Sequence, residues 1–224
     1  MNREEIFKDQ KKLLEQVHDE LQAGFNVLST HPKTVTFFGS ARLKEKSVYY
    51  VIAKELGSRV VKELGYSVIT GGGPGIMEAV SWGASDAGGK PIGMTIRLPR
   101  EQRVNPYVKE EIICNHFLTR KTIMTFAAEA WVFFPGGFGT FDELFSILTL
   151  VQNGKVPAVP IILFGSEFWK PLDDLIKNVM LEKYETVGRK DVDIYTITDD
   201  EDQVIDIIRN APVRVWWTDG TFTP

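Results

Sequence analysis

The chain has 224 residues, 43% hydrophobic and 25% charged, with a formal net charge of −4, enough for one large α/β domain or at most two small ones. That charge balance gives no support to a general role on nucleic acid or on a membrane surface. The single cysteine, Cys114, cannot close an intrachain disulfide, the start MNREEIFKDQKK lacks the form of a signal peptide, and no apolar run reaches the ~18 residues of a membrane span, so a cytoplasmic protein is expected.

Residues 3–28 place Ile6, Leu13, Leu14, Val17, Leu21, Phe25 and Leu28 at helical spacing. His31-Pro32 ends that helix. The chain then alternates. TVTFF (34–38) reads as a buried strand, 47–64 as a helix stopped by Gly65, and YSVIT (66–70) as a second strand. Helix 75–87 stops at Gly88-Gly89, and PIGMTI (91–96) is a third strand. The proline-broken, polar stretch 97–111 is expected outside the core. A short strand near 112–116, a helix over 118–128 and a strand at 130–134 follow. Then come helix 140–153, strand 159–164, helix 167–183, a short strand at 193–197 and helix 200–210. Such alternation predicts an α/β fold, a Rossmann-like parallel sheet with helices on both faces. The predicted organisation is an N-terminal helical extension (1–30) and a single nucleotide-binding domain (31–224).

Three glycine-bearing loops follow strands: FFGSAR (37–42), ITGGGPGIMEA (69–79) and FFPGGFGTFDE (133–143). In open α/β sheets ligands bind beyond the carboxyl ends of the strands, where these loops gather. None is the G-x-G-x-x-G of a dinucleotide fold or a P-loop. Short βα turns use glycine in any case, but three such loops at one edge favour a phosphorylated ligand. Glycines allow close backbone approach, and a helix opening near Thr140 aims free N–H groups and a positive dipole end into the turn. Gly39, Ser40, Gly72, Gly73, Gly136, Gly137, Phe138, Gly139 and Thr140 are the candidate ligand-binding residues. Met77 reads as core by its helical spacing and as a base contact by its place at a loop edge.

Thr140-Phe141-Asp142-Glu143 also matches a T-x-x-E capping box, with Thr140 as N-cap and Glu143 reaching back to it. Asp142 in a first turn complements the helix dipole. Arg120-Lys121 near another helix start is unfavourable for that dipole, which points to another reason for the charge, and a guanidinium suits phosphate or carboxylate.

The string PGGFGT-x-x-E at 135–143, with TRK at 119–121 and GGGPGIMEA at 71–79, resembles the Lonely Guy family over about residues 33–185. These are cytokinin riboside 5′-monophosphate phosphoribohydrolases, often mislabelled lysine decarboxylases. The resemblance implies a Rossmann-like sheet and hydrolysis of a nucleoside 5′-monophosphate, such as AMP or a cytokinin riboside monophosphate, to free base and ribose 5-phosphate. It implies phosphate held by Gly136, Gly137, Gly139 and Thr140, a catalytic pair Arg120 and Glu143, and substrate contacts at Lys121, Glu101 and Thr149. No cofactor is implied. Plant-type members carry glycine where this chain has Glu78 and lack the 1–30 helix, so it resembles a bacterial branch. Relatives include proteins resembling molybdenum-cofactor carriers, which leaves a non-catalytic carrier of a phosphate-bearing pterin as the alternative.

No lysine sits in a recognisable pyridoxal phosphate context. His18, His31 and His116 are scattered and give no metal-ligand spacing. Trp82 is read as core, and Trp216 and Trp217 as packing the tail onto the body or a partner. Arg97, Arg100 and Arg103 are either a solvated loop or added phosphate charge. The apolar face of the first helix predicts a homodimer or a multiple of one, with packing on the chain's own sheet as the competing outcome.

Overall fold

The computed structural model of the chain describes residues 3–97 and 103–212. Arg100, Glu101, Trp216 and Trp217 lie outside them. The elements are α1 (Arg3–Leu28), β1 (Thr34–Phe38), α2 (Val48–Leu64), β2 (Ser67–Thr70), α3 (Ile76–Asp86), β3 (Ile92–Ile96) and β4 (Glu110–Cys114). They continue with α4 (Phe117–Ala127), β5 (Ala128–Phe133), α5 (Phe138–Gln152), β6 (Ile161–Phe164), α6 (Ser166–Asp174), β7 (Thr196–Thr198) and α7 (Glu201–Arg209).

The strands form one parallel sheet in the order β4-β3-β2-β1-β5-β6-β7. This is the expected α/β architecture. Every residue of β1 and of β5 is buried, as parallel strands covered on both faces must be. Alternation sorts their side chains into two cores. Phe38, Trp131 and Phe133 pack beneath α1, α4, α5 and α6, while Val35, Phe37 and Val132 pack beneath α2, α3 and α7. The strand order reverses between β1 and β5, so a crevice opens there at the carboxyl edge.

Several boundaries differ from the sequence reading. β4 begins at Glu110, inside the stretch read as loop, because parallel pairing with β3 carries it. The single helix predicted over 167–183 is α-helical only to Asp174, then continues as π-helical turns over Leu175–Lys183. An apolar pattern this short does not separate i→i+4 from i→i+5 bonding. β7 lies a few residues beyond its predicted place because it pairs with β6 through Thr196–Thr198.

α1 departs most. Over residues 9–28 its buried residues are Glu20 and Gly24, while Leu13 and Leu14 of the predicted apolar stripe are exposed. The helix docks on α4 of its own chain. A β-carbon at Gly24 would fall 2.4 Å from Ile123 Cδ1, and Phe25 meets Phe126 edge to face at 5.6 Å. The Glu20 carboxylate accepts from Asn115 N (3.0 Å), Asn115 Nδ2 (2.8 Å) and the Thr119 hydroxyl, and lies 3.1 Å from His116 Nδ1. Burial pushes this carboxyl up, but those hydrogen bonds prevail and hold it down at about 2.

Candidate active site at the sheet switch point

The crevice is lined by the loops after β1, β2 and β5 together with the first turns of α4 and α5, and encloses ≈ 870 Å³. Ser40 laces the three loops. Its N–H donates to the Pro135 carbonyl (3.0 Å), its carbonyl accepts from Ile76 N (3.1 Å), and its hydroxyl accepts from Arg42 N (3.1 Å). Backbone groups thus hold the crevice floor without side chains that would fill it.

α5 starts earlier than the T-x-x-E pattern predicts. Its N-cap is Gly137 and its first residue Phe138, with no side-chain cap. The Gly137 carbonyl accepts from Thr140 N (3.0 Å) and Phe141 N (3.1 Å). Thr140 is therefore inside the first turn, and Glu143 a turn beyond it, so the capping-box role is overturned. The backbone turns within the glycines themselves, which moves the helix start upstream of Thr140. The Thr140 hydroxyl stands against Gly136, where a β-carbon would lie 2.1 Å from Oγ1. A helix starting this way leaves its leading N–H groups, those of Phe138 and Gly139, without helical acceptors. Both residues line the crevice.

Freed from capping, Glu143 is 5% exposed and meets Arg120 of α4, whose Nη1 donates to Oε1 at 3.3 Å. Arg120 Nε donates to the Met94 carbonyl at 2.8 Å, fixing the guanidinium against β3. Burial pushes the Glu143 carboxyl above its ordinary value, partly opposed by Arg120 and then Lys121, and reinforced by Asp142. Burial also lowers Arg120, with Glu143 opposing. A guanidinium starts so high that it stays cationic at neutral pH. The result is a desolvated ion pair at the wall of a cleft, beside a helix N-terminus.

Of the predicted residues, Gly39, Ser40, Met77, Arg120, Gly136, Gly137, Phe138, Gly139, Thr140 and Glu143 line the crevice. Gly72 and Gly73 do not. They are buried, and their carbonyls accept from Asn105 Nδ2 at 3.1 and 3.0 Å. Lys121 is not part of the lining, but it bonds Asp142, which is, at 2.7 Å, and Ser146 at 3.0 Å, tying α4 to α5. Thr149 is exposed further along α5, its hydroxyl donating to the Phe145 carbonyl. Residues outside the predicted site set also line the cleft, among them Arg42, Gly71, Ile96, Phe117, Phe141 and Asp142. Arg42, Gly71, Phe141 and Asp142 fall within the three quoted glycine loops, whereas Ile96 and Phe117 carried no signal.

The other singled-out side chains sit elsewhere. His116 is the N-cap residue of α4, His18 is exposed, and His31 Nδ1 lies 2.7 Å from Ser67 Oγ with Nε2 3.2 Å from Glu110. Trp82 is half-buried and packs against the edge of the core beneath α2 and α3, stacked on Tyr107 with Lys54 Nζ 3.3 Å from its ring centre. Arg97 and Arg103 are exposed. Among the described residues no group of three or more His, Cys, Asp or Glu could hold a metal ion, and no helix is long and apolar enough to cross a membrane.

A sequence model of the family described as possible lysine decarboxylases matches residues 77–208. A cytokinin riboside 5′-monophosphate phosphoribohydrolase of Rhodococcoides fascians is 26% identical over 69% of this chain and 79% of its own length. A pyrimidine/purine nucleotide 5′-monophosphate nucleosidase of Escherichia coli K12 is 30% identical over 67% of this chain, though only 36% of that protein is covered. The rice cytokinin riboside 5′-monophosphate phosphoribohydrolase LOG is 36% identical over 53% of this chain and 49% of its own. Among solved structures, the molybdenum cofactor carrier protein of Chlamydomonas reinhardtii superposes with a TM-score of 0.58 at 21% identity, over 80% of this chain and 97% of that one. The molybdenum cofactor binding protein of Rippkaea orientalis gives 0.57 at 18% identity, over 79% and 95%. Both likenesses are of fold.

Proposed function

Since the chain belongs to the possible lysine decarboxylase family and is homologous to the Lonely Guy phosphoribohydrolases, we propose that it hydrolyses the N-glycosidic bond of a nucleoside 5′-monophosphate, AMP or a cytokinin riboside monophosphate. Free base and ribose 5-phosphate are the products. The superfamily handles nucleotides and other phosphate-bearing ligands, and the crevice suits that chemistry. No lysine lines it among the described residues, so the decarboxylase description finds no Schiff-base residue there.

The observation that supports the reading is the buried Arg120–Glu143 pair beside the α5 N-terminus. The free N–H groups of α5 would take the 5′-phosphate. Departure of the base develops positive charge on the ribose, which a fixed, desolvated carboxylate stabilises. Arg120 positions that carboxylate and partly opposes the burial that disfavours its charge. Water adds at C1′ as the C–N bond breaks, and a proton passes to the departing base.

The second reading is a carrier that holds a phosphate-bearing cofactor such as molybdopterin without cleaving it. The shared fold with the two carrier structures favours it, and a phosphate cradle serves both roles. The experiment is a chromatographic screen of nucleoside monophosphates for base release by the purified protein. The hydrolase releases free base from AMP or isopentenyl-AMP and works far more slowly on adenosine. No base release, with a pterin retained on the protein, establishes the carrier instead. Assembly as a homodimer or a multiple of one, in the cytoplasm, belongs to the same proposal, and a monomer mass by light scattering removes it.

A further inference from the structure

Two cations line the crevice among the described residues, Arg120 and Arg42. Arg120 is committed. Its Nε and Nη1 donate to Met94 and Glu143, its charge is balanced by that carboxylate, and its Nη2 packs against Gly71. Arg42 differs on each count. It is exposed, and its side chain has no ion pair or hydrogen bond among the described residues. Its backbone, by contrast, is fixed. Arg42 N donates to Ser40 Oγ, and Ser40 N donates to the Pro135 carbonyl at the start of the loop that opens α5.

A phosphate dianion entering the crevice meets a positive helix terminus worth about half a charge. It also meets two carboxylates, Asp142 and Glu143. Arg120 offsets Glu143 and Lys121 pairs with Asp142 at 2.7 Å, so neither of these cations is left over for the ligand. Arg42 is the remaining cation, on the opposite side of the strand-order reversal from α5.

Resting on the nucleotide reading above, we propose that Arg42 is the phosphate-selecting residue of this site. Its guanidinium closes on the 5′-phosphate from the β1 side while the N–H groups of Phe138 and Gly139 hold it from the α5 side. Forked N–H donors suit two phosphate oxygens at once, which an ammonium does not reproduce. Arg42 thereby sets the preference for nucleotides over nucleosides, while the Arg120–Glu143 pair acts at the ribose.

The test is calorimetric binding of AMP and adenosine to the wild-type chain of 224 residues, Arg42→Gln and Arg42→Lys, beside steady-state base release. The Arg42 side chain is exposed and makes no hydrogen bond or ion pair among the described residues, so all three are expected to melt together. Arg42→Gln weakens AMP by roughly 10- to 100-fold, as loss of a charge-assisted contact does. Arg42→Lys falls between, adenosine binds all three alike, and the kinetic loss appears in KM more than in kcat. AMP affinity unchanged in Arg42→Gln, or lost equally for AMP and adenosine, overturns the assignment. Wild type that binds AMP yet releases no base removes the hydrolase and leaves the Arg42 assignment standing on binding alone. Wild type that binds neither AMP nor inorganic phosphate overturns both.

Discussion

Gly71 lies against the Arg120 guanidinium so closely that a β-carbon there would fall 2.5 Å from Nη2 and 2.8 Å from Met77 Sδ. The second glycine loop thus contributes an absence: it leaves the space that the arginine of the ion pair occupies.

Gly71→Ala therefore separates packing from chemistry. Both atoms it meets are ends of flexible side chains, which can yield, so the melting temperature falls only slightly. The guanidinium moves, and with it the carboxylate it holds. Displacement on the order of 1 Å costs up to about a hundredfold in rate. The prediction is a large loss of base release with near-native stability, read by kinetics and thermal melting on the same preparation.

Glu143→Gln tests the carboxylate itself. The amide keeps the shape and removes the charge. Since Glu143 caps nothing, the loss of a preorganised electrostatic group, on the order of 3 kcal/mol or about a hundredfold in rate, falls on turnover. AMP binding persists through the α5 N-terminus. Full activity in this variant would remove Glu143 from the chemistry.

The acid limb of kcat/KM follows from the direction of the Glu143 shift. Burial raises its pKa, so the active carboxylate is lost as pH falls through a value above the ordinary carboxylate range. Asp142 raises it further and Lys121 lowers it. Asp142→Asn is expected to move the limb to lower pH, and Lys121→Gln to higher pH. Pairing with Lys121 also restrains Asp142, so opposite movements of the limb in the two variants are the decisive result. Profiles that stay superimposed assign the limb to another group.

Glu20 has the opposite shift and the opposite sign in stability. Its folded pKa is depressed from 4.5 to about 2. Its contribution is complete above the unfolded value and is lost as pH falls from about 4.5 toward 2. Glu20→Gln leaves donors from Asn115 and Thr119 poorly matched and lowers neutral-pH stability by about 1–3 kcal/mol. Between those pH values the variant loses less stability on acidification than wild type. Denaturant unfolding at neutral and acid pH measures both effects, and parallel pH curves would place the acid sensitivity elsewhere.

What the sequence determined by itself was local. TVTFF and the apolar run into FFPGG are unbroken because parallel strands covered on both faces admit no polar alternation, so the central strands and the loops at their ends were legible. Glycine density after three strands, and the R-K and PGG-x-GT-x-x-E strings, pointed to the crevice and to Arg120 and Glu143. Tertiary structure decided what each side chain meets. T-x-x-E reads alike whether it caps a helix or carries a buried carboxylate, and only the early start of α5 and the approach of α4 chose between them. The spacing of α1 marked an apolar stripe, yet over residues 9–28 the buried residues are Glu20 and Gly24. A carboxylate enters an interior only where donors are waiting, and those of Asn115 and Thr119 come from 95 and 99 residues away along the chain. Periodicity records which residues alternate along a helix, whereas the partner that makes burying a charge favourable exists only once the chain has folded.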